Sequence, residues 1–203
     1  MGGTVYPESV VLCIAALGHT LSDMESSREG NVVGRAAKAG ATLLALWGVL
    51  HVWVGVEGAH QYLTNGTRGV WTLFLGGPNA PVAAYQHTTD AVTSSVQGHL
   101  ALNFAIDVGG YGVLGLALAW LIWKRGSWAA YLLALVVIGV ADLAFLFTQV
   151  TTGLIEANAG TVGGPVIWVL ACIVTPFGLP SPRGARAQQA AASSAPATAH
   201  ASS

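Results

Sequence analysis

Residues 99–123 read HLALNFAIDVGGYGVLGLALAWLIW, and this stretch decides the fold class. A helix needs about 20 mostly apolar residues to cross the hydrocarbon core of a bilayer, and this one is long enough. A Lys-Arg-Gly-Ser turn at 124–127 follows, and then another apolar stretch begins. Two membrane-spanning helices joined by a tight turn are therefore predicted. Gly109, Gly112 and Gly115 are predicted to let a neighbouring helix approach closely.

The composition extends this prediction to the whole chain. Of its 203 residues, 53% are hydrophobic and only 8% are charged, whereas about a quarter of the residues in soluble domains are charged. An all-α integral membrane protein with four transmembrane helices is predicted, and the lipid bilayer is its first expected partner. The net charge of −1 gives no reason to expect a nucleic-acid partner. The predicted spans are residues 39–62, 97–123, 128–150 and 161–179.

The basic residues orient the predicted spans. Arg68 falls between the first and second spans, and the other seven of the 8 basic residues fall on the opposite side. Lys and Arg are enriched in cytoplasmic loops, so both termini are predicted to be cytoplasmic. The Ala-, Gly- and Val-rich composition is typical of bacteria, which predicts the bacterial inner membrane. The seven are Arg28, Arg35, Lys38, Lys124, Arg125, Arg183 and Arg186.

The ends of the chain differ from its centre. The segment before the first span has too few apolar residues to cross a membrane and lacks the basic flank of a signal peptide. Residues 1–23 are interpreted as an upstream extension, with a native start at Met24; the alternative is a short amphipathic segment on the inner surface. The predicted organisation is an N-terminal leader over 1–35, a transmembrane domain over 36–180 with an outer loop at 64–95, and a disordered, low-complexity cytoplasmic tail over 181–203.

Ionisable residues inside the predicted spans indicate a polar interior. Counting from the outer ends at about 1.5 Å per residue places His51, Asp107 and Asp142 at similar depths near the bilayer centre. Such groups cost a few kcal/mol each in hydrocarbon, so they face one another or a wet cavity. We predict an outward-facing polar cavity between the first three helices, with His51 close to Asp107. Asn103 and Gln149 are expected beside the same ligand or proton path.

Glu57, His60 and His99 form a second candidate set, nearer the outer edge. The Glu-x-x-His spacing places the first two on one side of a helix, as in metal-binding bundles. His60 and His99 come near the arrangement that a b-type haem needs, two histidines at equal depth on different helices. A transition metal and a haem are both open as cofactors. No nucleophile or nucleotide motif specifies a reaction, so enzymatic activity is left open.

Two functions remain open from the sequence. In the first, the cavity binds a metal or small ligand, or carries out redox or proton chemistry. In the second, the protein is a non-catalytic accessory subunit whose buried polar residues only hold helices together. Polar contacts between membrane helices contribute about 0.6–2 kcal/mol each without any ligand. The partner in that case is another membrane protein or a second copy of the chain.

Overall fold

The computed structural model describes residues 33–181, and that part of the chain is helical and contains no strand. Four of its helices are long and apolar enough to cross a membrane, which confirms the predicted all-α class with four such helices. The N-terminal leader up to residue 32, with the proposed start at Met24, and residues 182–203 of the tail lie outside the described residues. The helices are α1 (Arg35–Phe74), α2 (Ala91–Arg125), α3 (Trp128–Val150) and α4 (Ala159–Gly178), with a short 3-10 turn at Val82–Ala84 between the first two.

Polar caps and one left-handed glycine fix the helix ends. Asp90 caps α2, because its Oδ1 accepts a hydrogen bond from the Thr93 N–H at 2.8 Å. The same helix ends at Gly126, whose φ of 53° costs a glycine little. Ser127 follows at once and caps α3 by accepting a bond from the Ala130 N–H at 3.2 Å. The tight turn predicted between the second and third spans is thereby confirmed.

α1 reverses direction at Gly66, where backbone angles of φ 61° and ψ −152° interrupt the helix. The stretch after the kink folds back along α1, because a methyl group added at Gly58 would lie 2.9 Å from the Phe74 ring. That ring also meets Phe104 of α2 edge-on, with centroids 5.2 Å apart. The predicted outer loop at 64–95 is therefore helical at both of its ends. An apolar stretch too short to span can still form a helix when a helical surface is available to pack against.

α1 is the central helix and packs along α2 through glycines. A methyl group at Gly55 would lie 2.5 Å from the Gly109 Cα, and one at Gly112 would lie 2.5 Å from the backbone nitrogen of Val52. One at Gly115 would lie 2.9 Å from an aromatic ring of α1. Small residues at these positions let the two backbones approach closely. The prediction for the glycines at 109, 112 and 115 is confirmed.

Large apolar side chains cover the outside of the bundle as well as its interior. Trp47 and Ile122 are almost fully buried, at 0% and 1% exposed. Val56, Val140 and Phe147, on α1 and α3, are nevertheless 64%, 66% and 62% exposed. An apolar surface of this extent is unusual for a soluble protein and suits contact with lipid. The four long apolar helices and this surface suit a multi-pass membrane protein.

Candidate functional site

A buried polar cluster joins α1 to α3. The Trp47 Nε1–H donates to Asp142 Oδ2 at 2.9 Å, and His51 Nε2 lies 3.7 Å from Asp142 Oδ1. The imidazole also stacks on the indole, with ring centroids 3.7 Å apart. Asp142 is 4% exposed and is the one buried carboxylate among the described residues. Both of its oxygens therefore meet side chains of α1.

The contacts of His51 determine which of its ring nitrogens carries a hydrogen. His51 Nδ1 lies 2.9 Å from the Trp47 carbonyl oxygen, which can only accept, so Nδ1 carries a hydrogen. A neutral imidazole would then turn the Nε2 lone pair towards a carboxylate oxygen. One further proton removes this repulsion, either as imidazolium beside carboxylate or as imidazole beside carboxylic acid. At the observed 3.7 Å between Nε2 and Oδ1, one added proton would therefore strengthen the contact between the two side chains.

α4 closes over the cluster. A methyl group added at Gly164 would lie 3.1 Å from His51 Cε1, so the α4 backbone approaches the imidazole where no side chain intervenes. One turn further along, the Trp168 Nε1–H donates to the Ala134 carbonyl oxygen of α3 at 3.0 Å. α3 is consequently tied to α1 through Asp142 and to α4 through an indole donor.

The predicted pairing of His51 with Asp107 is wrong. Asp107 is exposed on α2 and accepts a hydrogen bond at 2.8 Å from Nδ2 of Asn103 on the same helix. The reason is the face that α2 presents to α1: Gly109 lies in that interface, and a residue two positions earlier points about 200° away around the helix. His51 meets Asp142 instead.

The predicted metal ligands Glu57, His60 and His99 do not form a metal-binding group. Glu57 accepts a bond from Gln61 of its own helix at 2.7 Å, and His60 is exposed. His99 Nδ1 lies 2.7 Å from the carbonyl oxygen of Ser95. Within the described part of the chain, no group of three or more His, Cys, Asp or Glu side chains is arranged to hold a metal ion.

Gln149 lies half-buried at the end of α3 and acts there through its backbone. Its carbonyl oxygen accepts bonds from the N–H groups of Leu154 and Ile155, at 3.1 and 3.0 Å. In the same region Nδ2 of Asn79, from the loop after α1, donates to the Thr152 carbonyl at 2.7 Å. These bonds tie that loop to the end of α3. Gln149 itself lines neither the buried cluster nor the cavity described next.

A cavity of about 930 Å³, the outer pocket, lies between the kink of α1, the loop after it and the start of α2. Its volume falls within the range of small-molecule sites, about 300–1,000 Å³. Three elements that are separate in the chain contribute to its wall. The polar and aromatic lining residues are Tyr62, Asn65, Thr67, Arg68, Tyr85, His87, Ser94, Ser95 and His99.

The outer pocket has an unpaired positive charge. None of the described residues that line it is acidic. The Arg68 guanidinium has no hydrogen-bond or ion-pair partner within residues 33–181. The Asp90 carboxylate, just before α2, already accepts hydrogen bonds from Thr93, and these bonds lower its pKa. The outer pocket is therefore rich in hydrogen-bond donors without a carboxylate of its own.

Most of these functional candidates carry only weak sequence signals. Of the outer pocket, His99 alone is predicted as a site residue from the sequence. Arg68 carries a usable signal, since it is the basic residue that departs from the positive-inside pattern. Trp47 carries another, because it lies four residues before His51 and hence on the same helix face.

The chain matches no known protein family, no curated protein and no solved structure. A function is therefore inferred from the geometry of the buried cluster and of the outer pocket.

Proposed function

We propose that this protein lies in the cell membrane with both termini cytoplasmic and binds a small ligand from the outer side, in the outer pocket. The observation that supports this most is the position of the pocket, at the end of the bundle away from Arg35, Lys38, Lys124 and Arg125. Lys38 Nζ lies 5.9 Å from the Trp123 ring centroid, and the Arg125 guanidinium lies 5.6 Å from that of Trp120. Basic and aromatic residues together are typical of the cytoplasmic membrane interface.

The orientation is tested with two reporters. A reporter fused after Gly184 should report the cytoplasm, and one inserted near Asn79 should report the outer side. The reverse result for either reporter would place the outer pocket on the cytoplasmic face and end the proposal in this form.

The buried cluster has a supporting role in this proposal. His51 precedes the pocket residue Tyr62 by 11 positions, which is about 16 Å along a helix. The cluster therefore lies deeper than the outer pocket and fixes α3 against α1 beneath it. It is too far from Tyr62 to contact a ligand held there.

Filling the outer pocket tests ligand binding. The wild-type protein, purified from native membranes in a mild detergent, should carry a small molecule that mass spectrometry of the intact complex detects. Ser95→Trp, which places an indole in the pocket, should remove that mass while leaving the helical circular dichroism unchanged. Val96→Trp is the matched control, because Val96 is 52% exposed and does not line the pocket. No bound small molecule, or equal occupancy in both variants, would contradict the proposal.

The Asn103–Asp107 pair supports a second candidate function, that of an accessory subunit. Both side chains are exposed on α2, in a region long and apolar enough to cross a membrane. An ionisable group that faces lipid there costs a few kcal/mol, which a polar group of a partner helix would relieve. The face that α2 turns away from α1 is then a contact surface. Co-purification of a partner through Asp107 tests this candidate and is argued at the end of the Discussion.

A further inference from the structure

We propose that the outer pocket recognises a phosphate group, carried either by a small phosphate ester or by a lipid headgroup. This inference rests on the proposed function, since it names the chemical class of the ligand in the same pocket. The juxtaposition that supports it is that of Arg68, His87 and His99, which reach one cavity from three different segments of the chain.

The first step of the argument is charge. Arg68 has no carboxylate partner within the described residues, and the pocket lining contains no acid. A guanidinium carries five donors in a planar fork and binds the oxygens of phosphate or carboxylate through two parallel hydrogen bonds. An anion is therefore the ligand that this pocket satisfies best.

The second step is the number of separate segments that supply donors. A phosphate group presents its oxygens tetrahedrally, so it is best held by donors from several sides. The pocket supplies Arg68 from α1, His87 from the loop and the hydroxyls of Ser94 and Ser95 from the first turns of α2. A carboxylate, being planar, would use fewer of these groups.

The third step concerns His99 and the rest of the ligand. Because the Ser95 carbonyl can only accept, His99 Nδ1 is the nitrogen that donates to it. Nε2 is then available as acceptor when the ring is neutral, or as donor when it is charged. A phosphate group alone does not fill about 930 Å³. The rings of Tyr62 and Tyr85 and the side chain of Leu63 are suited to the organic part of the ligand.

Titration with inorganic phosphate tests this recognition. Wild-type protein in a neutral maltoside detergent should bind phosphate saturably by calorimetry, and chloride at equal ionic strength should give no heat. Arg68→Gln should weaken binding about ten-fold or more, the usual loss when a charged hydrogen-bonding group is removed. Arg68→Lys, which keeps the charge but not the fork, should lie between the two. Arg35→Gln, at the other end of the same helix, is the control and should bind as wild type does.

Lipid nanodiscs distinguish the two sources of the phosphate group. If the ligand is a lipid headgroup, protein in phosphatidylglycerol nanodiscs should unfold at a higher temperature than in nanodiscs of digalactosyl diacylglycerol, a lipid without phosphate, and Arg68→Gln should abolish that difference. If it is a soluble ester, the two lipids should give equal stability and phosphate should bind in both. Absence of phosphate binding and of any lipid difference would overturn the phosphate assignment. Should the Ser95→Trp variant still displace a co-purified molecule in that case, ligand binding in the pocket would stand and only the ligand class would be wrong.

Discussion

At the scale of single residues, the indole of Trp47 organises the buried cluster. Its Nε1–H donates to Asp142, its ring stacks on His51, and its own carbonyl oxygen fixes the hydrogen on His51 Nδ1. One residue thus satisfies a buried carboxylate and sets the tautomer of the histidine beside it. A buried acceptor without a hydrogen bond lowers the free energy of unfolding, so losing the Trp47 donor should have a measurable effect.

Trp47→Phe tests the role of that donor. The phenyl ring keeps most of the apolar volume but leaves Asp142 Oδ2 without its hydrogen bond, so the free energy of unfolding should fall by about 1–3 kcal/mol. Chemical unfolding in detergent micelles measures this. Trp53→Phe is the control: Trp53 is on the same helix but 61% exposed, and a surface change of this kind is expected to stay within about 0.5 kcal/mol. Equal losses in the two variants would show that the Asp142 contact contributes nothing specific.

The sequence predicts how deep each polar residue lies within its span, but not the side of the helix from which it projects. Counting residues along spans places His51 and Asp142 at the same level, and the structure brings them together. The same count includes Asp107, which lies on the opposite side of α2. Rotation of a helix about its axis is set by which side packs closely, and for α2 that side holds Gly109 and Gly112. The glycines were visible in the sequence, but not the helix that packs against them.

At the scale of helices, close packing of α1 on α2 depends on the absence of side chains. Gly55→Ala places a methyl group 2.5 Å from the Gly109 Cα, against backbone that cannot move aside cheaply. Overpacking of this kind costs about 1–3 kcal/mol. Gly110→Ala is the matched control, because nothing lies within 4 Å of the added methyl and alanine favours helix over glycine by up to about 1 kcal/mol. Thermal unfolding should therefore shift in opposite directions, and a loss in Gly110→Ala as large as in Gly55→Ala would refute the packing account.

The start of α2 should respond to acid. Hydrogen bonds from Thr93 lower the pKa of Asp90 below its ordinary value of 3.8. The cap's contribution is therefore present above that value and is lost as the pH falls through the lower folded-state pKa. Amide hydrogen exchange, corrected for intrinsic rates, should show Thr93 losing protection in that window. Asp90→Asn keeps the cap without a titrating group and should remove the pH dependence; a variant that still titrates would assign the effect to another group.

The kink of α1 shows where helix prediction from hydropathy stops. Residues 70–75 are mostly apolar but too few to span a membrane, so their length does not predict where they lie. In the structure they fold back from Gly66 and bring Phe74 onto Gly58 and Phe104. Such a return depends on a distant groove of small residues rather than on local propensity. The fold-back of α1 after Gly66 also shapes the outer pocket. An outward-facing cavity was expected from the sequence, but its location therefore was not.

At the scale of the whole molecule, the four-span class can be predicted from composition. The helix faces that pack together, and those that stay exposed, cannot. Low charge and four long apolar stretches specify four helices able to cross a membrane, and the structure contains them. The proposed sidedness rests on seven basic residues against one, through a physical rule about translocation rather than about packing. Which faces of the bundle remain open is decided only when the helices meet. The Asn103–Asp107 pair lies on such a face, on the far side of α2 from α1.

Asp107→Leu distinguishes a polar group that holds the bundle together from one that holds a partner. Asp107 accepts its hydrogen bond from Asn103 of its own helix, so the isolated protein should lose no stability. It should also insert at least as well, since an Asp at the centre of a membrane helix costs about 2.5–3.5 kcal/mol. If the accessory-subunit candidate is right, complexes isolated from native membranes should shrink on native gels, as the partner's donor is left without an acceptor. Val113→Leu, on the same helix and 59% exposed, controls for a change of apolar surface. Destabilisation of the isolated protein by Asp107→Leu would place that carboxylate in an internal contact, and an unchanged complex size would remove it from any interface.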